Sequence, residues 1–290
     1  MNCESNASIT PGLERSCGPG RGDWVRASGP IGGIERLEAW FAGHAYAKHR
    51  HDSYVIGVTE SGVQAFDYRG AALCSLPGEV LVLHPDETHD GRAAGENGFG
   101  YRALYVEPAR IAEAAQAILS RPCALPFVRR AVSDDSGLAR TIRTAFRCDL
   151  EPLALDALIL RLTEELVAAD ASLRSDRSPL RLDLPALERA RAFLEAETGR
   201  VVRSSELEAL TGHSRYGLAR QFRRRFGTSP YRYALMRRLD FARTQIAKRR
   251  SLAETALDAG FADQAHLTRT FKAAYGVTPA RYAALYRRLQ

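Results

Sequence analysis

The spacing of hydrophobic positions divides this chain into a β-rich part followed by two helical parts. Between Ile34 and Val106, short runs of β-branched and aromatic residues are separated by glycine-containing turns. These runs predict the following strands: Tyr54–Glu60, Val63–Tyr68, Ala71–Leu76, Val80–His84 and Phe99–Val106. Short strands at this spacing are typical of an antiparallel barrel or sandwich.

After Pro108 the apolar residues recur every three or four positions, which is the period of an amphipathic helix. A first helix has Ile111 and Ala115 on one face, and a second carries an apolar stripe from Leu155 to Leu166. That second stripe has two alternative partners, the β-rich part of the same chain or a second protomer.

Between Glu206 and Leu289 one pattern of turn, cap and core residues occurs twice. Each copy predicts a short helix, a glycine turn, a capped second helix, a glycine stop and a new helix opened by Ser-Pro or Thr-Pro. From Leu218 onward the matching positions are 49 residues apart, as in the following pairs: Leu218 and Leu267, Phe222 and Phe271, Gly227 and Gly276, Tyr233 and Tyr282. This order is typical of helix-turn-helix units, which present their second helix to the major groove of DNA.

A long helix is predicted between the two copies, from Pro230 to Lys248. At 1.5 Å per residue it is about 28 Å long. A helix of that length can hold two recognition helices about one turn of DNA apart, roughly 34 Å.

The charge of the chain is unevenly distributed. Residues 183–290 hold 21 Lys and Arg against 10 Asp and Glu, a net charge of +11, whereas residues 1–182 have a net charge of −4. A basic C-terminal part beside a mildly acidic remainder favours a polyanion-binding domain next to a domain with another task.

The predicted second helices each have an apolar face and an outward face that could contact DNA. The outward face of the first carries Arg215, Tyr216, Ala219, Arg220, Arg223 and Arg224. The outward face of the second carries Gln264, Ala265, His266, Thr268, Arg269 and Lys272. Gln and Arg are the side chains that make bidentate contacts with adenine and guanine.

Residues 183–290 resemble the AraC/XylS family of bacterial transcription regulators, most specifically from Gly260-Phe261 to Thr278-Pro279. The resemblance implies base contacts by Arg215, Tyr216, Ala219 and Arg220 in the first unit and by Gln264, Ala265, His266 and Arg269 in the second. The first unit departs from the family pattern: Glu208 replaces a small alanine, and Gly217 lies inside the recognition helix. We therefore expect the first unit to bind DNA with less specificity than the second.

The β-rich part resembles the cupin barrel that many AraC relatives carry as a ligand-binding domain, from His49-x-His51 through Pro77-Gly78 to His84-Pro85 and His89. His49, His51 and His89 stand at positions similar to the ligands of metal cupins, but Val55 and Ile56 replace the glutamate of those proteins. We therefore expect an organic-ligand pocket and neither a metal nor a cofactor. The candidate effector-binding residues are His49, Arg50, His51, Tyr54, His89 and Arg102.

These patterns predict an α+β protein of two domains: an antiparallel cupin-like β-barrel with following helices, and an all-α domain of two helix-turn-helix units joined by a long helix. The predicted divisions are a flexible tail (1–30), an effector-binding and dimerisation domain (31–172), a linker (173–183) and a DNA-binding domain (184–290). The N-terminal segment lacks the apolar stretch of a signal peptide, and the five cysteines are scattered, so we expect a cytoplasmic location with reduced thiols.

The chemistry favours a non-catalytic regulator of transcription. Its expected partners are double-stranded DNA, a small-molecule effector, a second copy of the chain and RNA polymerase, with no membrane. The alternative is a metal-dependent cupin enzyme, or a metal sensor, fused to a DNA-binding domain.

Overall fold

The computed structural model describes residues 22–147, 151–175 and 182–288. Its strands are β1 (Trp24–Ala27), β2 (Ile34–Phe41), β3 (His44–His49), β4 (Tyr54–Gly62), β5 (Gln64–Tyr68), β6 (Ala71–Ser75), β7 (Val80–Leu83), β8 (His89–Ala93), β9 (Phe99–Val106), β10 (Val132–Ser133) and β11 (Tyr286–Arg288). The five predicted strands are confirmed to within two residues at each end. Strands β1, β2, β3, β8, β10 and β11 were missed, and β11 lies in the C-terminal part that was predicted to be all-α.

The helices begin only after β9. They are α1 (Pro108–Leu119), α2 (Ser136–Ala145), α3 (Pro152–Ala169), α4 (Ala171–Ser175), α5 (Leu184–Ala196), α6 (Ser204–Thr211), α7 (Arg215–Phe226), α8 (Pro230–Ala247), α9 (Leu252–Asp258), α10 (Gln264–Tyr275) and α11 (Pro279–Leu285). None of the described helices is long and apolar enough to cross a bilayer.

The N-terminal domain is built on two sheets that pack face to face. One sheet has the order β10-β7-β4-β9-β2-β1-β11 and the other β3-β8-β5-β6. Apart from the parallel pair of β1 and β11, the pairings are antiparallel. The described strands form two sheets and no closed barrel is detected among them, whereas the coarser prediction of antiparallel β structure is confirmed.

The prediction of a flexible tail over residues 1–30 is wrong for its last part. Residues 24–27 form β1, which pairs with β2, because Val25 and Ala27 are buried against the sheet. Residues 1–21 lie outside the described residues.

Side chains alternate between the two faces of the larger sheet, and each face is buried differently. Ile56 and Val58 of β4 face α1, α2 and α3, whereas Val55 and Leu81 face the second sheet. The apolar stripe of α3 packs against the first of these faces. Of the two alternatives for that stripe, the structure therefore shows packing within the chain.

The C-terminal domain packs around α8, which has the predicted position and length. Tyr233, near its start, packs with α5, α6 and α7, while Leu239 and Ile246 pack with α9 and α10. The predicted linker is partly helical, since α4 extends to residue 175 and the Asp183 carboxylate caps α5 by accepting the N–H of Ala186. Residues 176–181 lie outside the described residues.

Arginines of the C-terminal domain bind carboxylates of the N-terminal domain. The pairs are Arg243 with Glu35 (2.6 Å), Arg237 with Asp52 (2.9 Å), Arg281 with Asp23 (3.3 Å) and Arg232 with Asp86 (3.6 Å). All eight side chains are at most 19% exposed. Part of the basic charge that we assigned to DNA binding therefore holds the two domains together.

The two glycines that end α7 and α10 also bring the domains into close contact. Gly227 and Gly276 both have positive φ angles, 74° and 70°, which end the helices as predicted. A Cβ at Gly276 would lie 2.8 Å from the carbonyl oxygen of Ala47, and a Cβ at Gly227 would lie 2.8 Å from Pro85. In addition, the N–H of Ala47 donates to the carbonyl of Gly276 at 3.1 Å.

This contact predicts a specific effect of Gly276→Ala on domain docking. The added methyl group would push β3 away from α10, at the cost of about 1–3 kcal/mol that overpacking typically has. Amide exchange at Ala47 should accelerate roughly tenfold, the equivalent of about 1.4 kcal/mol. Hydrogen-exchange mass spectrometry measures this rate.

Gly212→Ala is the matched control, because Gly212 also ends a helix with a positive φ (73°) but has nothing within 4 Å of its Cβ position. It carries the same backbone strain without touching the N-terminal domain. Equal exchange at Ala47 in both variants would show that Gly276 does not restrain docking.

His84 is a buried histidine of the N-terminal core, and its hydrogen bond with Val128 requires the neutral ring. Its Nε2 accepts the N–H of Val128 at 2.9 Å, and its ring lies 5.1 Å from that of Phe127. Burial, followed by the positive charge of Arg69, lowers the pKa of His84 to about 4. Protonation would place a second N–H against that of Val128.

The stability of the protein should therefore depend on His84 at mildly acidic pH. An unfolded histidine takes up a proton below about pH 6.5, but the folded one does so only near pH 4, so the contribution to stability is complete above pH 6.5 and is lost as the pH falls. His84 should add up to about 1.4 kcal/mol per pH unit to the slope, beside the contribution of the other buried histidines with a lowered pKa, His49, His51 and His89. Urea unfolding of the wild type and of His84→Gln between pH 7 and 4.5 measures it. The Gln variant should show a shallower slope, and identical slopes would contradict this role.

Candidate DNA-binding surface and effector cavity

One face of α7 is buried in the domain core, and the opposite face is exposed and available to a ligand. The Ser214 hydroxyl accepts the N–H of Gly217 at 3.3 Å, and the side chains of Leu218, Phe222 and Phe226 are at most 2% exposed. The opposite face is therefore turned to solvent. On it Arg215, Tyr216, Arg220, Arg223 and Arg224 are exposed, and Ala219 is half-buried.

Helix α10 repeats this arrangement. The Asp263 carboxylate accepts the N–H of His266 at 2.6 Å, and Leu267 and Phe271 are fully buried. Gln264, Ala265 and Arg269 are exposed, whereas His266, Thr268 and Lys272 are half-buried. The His266 ring packs edge-on against Phe261 at 5.3 Å, which leaves it less free to reach a base than we expected.

Glu208, the residue that departs from the family pattern, binds Arg215. It accepts the Arg215 backbone N–H at 2.8 Å and two guanidinium N–H groups at 3.2 Å each. These hydrogen bonds hold the pKa of Glu208 below its usual range. Arg215 must leave this partner before it can contact a base.

The remaining basic side chains differ in their freedom. Arg223 lies 3.9 Å from Asp86 of the N-terminal domain. In contrast, within the described part of the chain no ion-pair partner is seen for Arg220, Arg224 or Arg269. These three exposed guanidinium groups are available to phosphates or base edges.

A cavity of about 270 Å³ lies between the two domains. Its N-terminal wall includes Ile34, Glu35, Leu37, Tyr46, His49, His51, Asp52, Tyr105 and Glu107. Its C-terminal wall includes Met236, Arg237, Asp240, Arg243, Tyr275, Val277, Tyr282 and Leu285. A molecule held there would touch both domains at once, which is how a ligand can change their relative positions.

The charges of the cavity are already paired in part. Arg237 binds both Asp52 (2.9 Å) and Asp240 (3.0 Å), and Arg243 binds Glu35. Burial raises the pKa of Asp52 and that of Glu107 despite the positive charge of Arg237. The cavity therefore has an excess of carboxylates and otherwise mainly apolar and aromatic walls.

Three of the six predicted effector residues come together at this cavity. The ring centroid of His89 lies 4.3 Å from that of His49 and 4.9 Å from that of His51. All three side chains are buried, and His49 and His51 line the cavity. Burial, followed by the neighbouring His89, lowers the pKa of His49 and that of His51 well below the usual value, so both are neutral at physiological pH.

The other three predicted effector residues lie elsewhere. Arg50 points to solvent and pairs with Asp86 at 3.6 Å. Tyr54 is buried in the core beneath the helices and donates to the carbonyl of Pro126, and Arg102 binds Glu38. Tyr54 and Arg102 lie on the helix-covered face of the larger sheet, because strand residues alternate between faces and their neighbours Val55, Tyr101 and Ala103 face the second sheet.

Several cavity residues were missed from the sequence. Strand β2, which supplies Glu35 and Leu37, was not recognised, although Ile34–Phe41 contains alternating apolar residues. In α8, Arg237, Asp240 and Arg243 recur every three residues beside the apolar stripe. That charged stripe indicates an interface, which the prediction for this helix did not include.

Two family models match the two domains. Residues 31–163 match the AraC-like ligand binding domain, and residues 207–284 match a helix-turn-helix domain. The second match spans both helix pairs, from α6 to α11.

Two relatives extend the similarity beyond single domains. The HTH-type transcriptional regulator YbfI of Bacillus subtilis (strain 168) is 27% identical over 227 residues, covering 77% of this chain and 81% of the relative. The probable transcriptional regulator LumQ of Photobacterium leiognathi is 24% identical over 151 residues, covering 52% of this chain and 53% of the relative.

Solved structures of ToxT from Vibrio cholerae share the fold across both domains. An apo variant of ToxT aligns with a TM-score of 0.61 at 14% identity, covering 89% of this chain and 99% of ToxT. ToxT bound to an unsaturated fatty acid aligns with a TM-score of 0.59 at 13% identity, covering 91% and 94% of the two chains.

An AraC-like ligand-binding domain and a helix-turn-helix domain thus occur in one chain whose relatives are transcriptional regulators. The protein belongs to the AraC/XylS family and is a transcriptional regulator rather than an enzyme.

Proposed function

We propose that this protein binds specific sequences of double-stranded DNA through two helix-turn-helix units and that a small molecule in the interdomain cavity controls this binding. The observation that carries the proposal is the cavity itself, because both domains contribute its walls. A ligand that fits one arrangement of the domains better than another shifts the population towards that arrangement.

The DNA-binding surface consists of the exposed faces of α7 and α10. Arg220 and Arg269 occupy equivalent positions, 49 residues apart, and both are exposed. The second unit has Gln264 and Arg269 for base edges, whereas the first has its Arg215 bound by Glu208 and a small Ala219. We therefore propose that the second unit supplies more of the sequence specificity.

The cavity favours a largely apolar effector with few polar groups. Its aromatic walls include Tyr46, Tyr105, Tyr275 and Tyr282. One solved structure of ToxT holds an unsaturated fatty acid, which supports a small organic ligand for this fold. In the present chain, however, Arg237 and Arg243 already bind carboxylates, so neither is free to anchor an anionic group.

We further propose that the protein works as a homodimer and contacts RNA polymerase beside its binding site. The apolar stripe of α3 is covered by the sheet of its own chain. A dimer would therefore use another surface.

Single arginine substitutions should separate the contributions of the two units. Arg269→Ala should cost about 1–3 kcal/mol of DNA-binding free energy and relax specificity at one or two base positions, and Arg220→Ala should have a smaller effect of the same kind. Lys272→Ala should weaken binding to all sequences about equally if this lysine contacts a phosphate. Selection of binding sites from random DNA, followed by affinity measurements at several salt concentrations, measures these effects.

Two results would contradict this account of DNA recognition. One is full retention of specificity in both arginine variants. The other is an affinity that does not fall between about 50 and 200 mM salt, since phosphate contacts release counterions.

Filling the cavity should remove the effector response without removing DNA binding. Leu37 lines the cavity from β2, and Leu37→Trp would occupy part of its volume. The control is Leu73→Trp, because Leu73 packs against the same two-sheet core but does not line the cavity.

The measurement is the melting-temperature increase produced by small-molecule fractions of the producing organism. A fraction that stabilises the wild type and Leu73→Trp should not stabilise Leu37→Trp, while both variants still bind DNA. An unchanged response in Leu37→Trp would exclude this cavity as the effector site.

A further inference from the structure

The three clustered histidines each have one ring nitrogen committed to the backbone. The Nδ1 atoms of His49, His51 and His89 lie 2.8, 3.1 and 3.1 Å from the carbonyl oxygens of Ala47, Ser53 and Glu87. A carbonyl oxygen can only accept, so each Nδ1 carries the proton and donates it. Each neutral ring therefore has a bare Nε2 lone pair.

These lone pairs belong to one buried cluster. One ring nitrogen from each histidine lies within 4.8 Å of those from the other two, and the residues are 7%, 4% and 5% exposed. The buried Nε2 of His51 has no hydrogen-bond partner within the described residues. An unpaired buried acceptor destabilises the folded state, and a ligand that accepts all three lone pairs would remove that cost.

The surroundings of the cluster favour a cation. Among the cavity residues, Glu35, Asp52, Glu107 and Asp240 outnumber Arg237 and Arg243, which leaves two negative charges in excess. Arg232 also acts on His49 and His51, but its charge is offset by Asp86 at 3.6 Å. A doubly charged cation would balance the two excess negative charges, and Coulomb attraction is strong where water is excluded.

We propose that His49, His51 and His89 bind one divalent transition-metal ion of the zinc type through their Nε2 atoms. Histidines that bind a metal typically donate their other N–H to a carbonyl or carboxylate, as all three do here. Around a tetrahedral ion with metal–nitrogen distances of about 2.0–2.1 Å, the nitrogens lie about 3.4 Å apart, so small ring rotations complete the site. Three imidazoles suffice, and the missing glutamate that argued against a metal in the sequence is not needed.

The regulatory role of this ion rests on the proposed function of the cavity. Three protein ligands leave a fourth coordination position open, and His49 and His51 line the cavity. A polar or anionic group of the effector can bind there, which the paired arginines do not allow. The site also touches the C-terminal domain, since a Cβ at Gly276 would lie 2.8 Å from the Nδ1 of His49.

The test uses the tag-free, full-length protein after removal of metals with a chelator and dialysis. Co²⁺ is added while the visible absorption is recorded, and Zn²⁺ affinity is then measured by competition and calorimetry. We expect one equivalent of ion, a tetrahedral Co²⁺ spectrum and a higher melting temperature with Zn²⁺ than without it. His51→Ala and His89→Ala should weaken Zn²⁺ binding by at least about 100-fold.

His44→Ala is the matched control, because His44 lies on β3 as His49 does but is exposed. This variant should bind Zn²⁺ as the wild type does. The melting temperatures of the metal-free variants verify folding, and His51→Gln replaces His51→Ala if the latter unfolds. Less than one-fifth of an equivalent of bound ion, or unchanged affinity in the folded His51 and His89 variants, would overturn the proposal. The titration contains no DNA, so this failure would leave the proposed DNA-binding function standing.

Discussion

The arrangement of the molecule depends on arginines of one domain that are buried against carboxylates of the other. Arg281 and Asp23 are 6% and 3% exposed, and Arg243 lies 2.6 Å from Glu35. Burying one of these charges without its partner costs several kcal/mol. Removal of either member of a pair therefore destabilises the docked arrangement of the two domains. The position of α8, and with it the cavity, follows from these pairs.

The parts of the fold predicted from the sequence are those that local chemistry determines. Ser214 and Asp263 cap their helices, Gly227 and Gly276 end them, and the apolar residues between them are buried as their spacing indicated. The same holds for strands bounded by glycine turns, such as β5. In each case the signal lies within a few residues of the structure it specifies.

Contacts between distant segments had no such signal. The net charge of residues 183–290 predicted a polyanion-binding surface, and it could not show that Arg237 and Arg243 would face carboxylates of the other domain. Likewise, one step along a strand separates Tyr54, beneath the helices, from Val55, between the sheets. His49, His51 and His89 are distant along the chain, and they were grouped correctly because the resemblance to metal cupins placed them at one site.

The central claim is that domain docking and DNA binding are energetically linked, and it is tested by the DNA affinity of Glu35→Gln. This change weakens the partner of Arg243 and lies on β2, outside the exposed faces of α7 and α10. The control is Glu60→Gln, since Glu60 pairs with Arg143 and Arg102 within the N-terminal domain. Linkage predicts that Glu35→Gln alone changes the dissociation constant for specific DNA by about fivefold or more, equivalent to about 1 kcal/mol. Equal affinities for the wild type and both variants would contradict the claim.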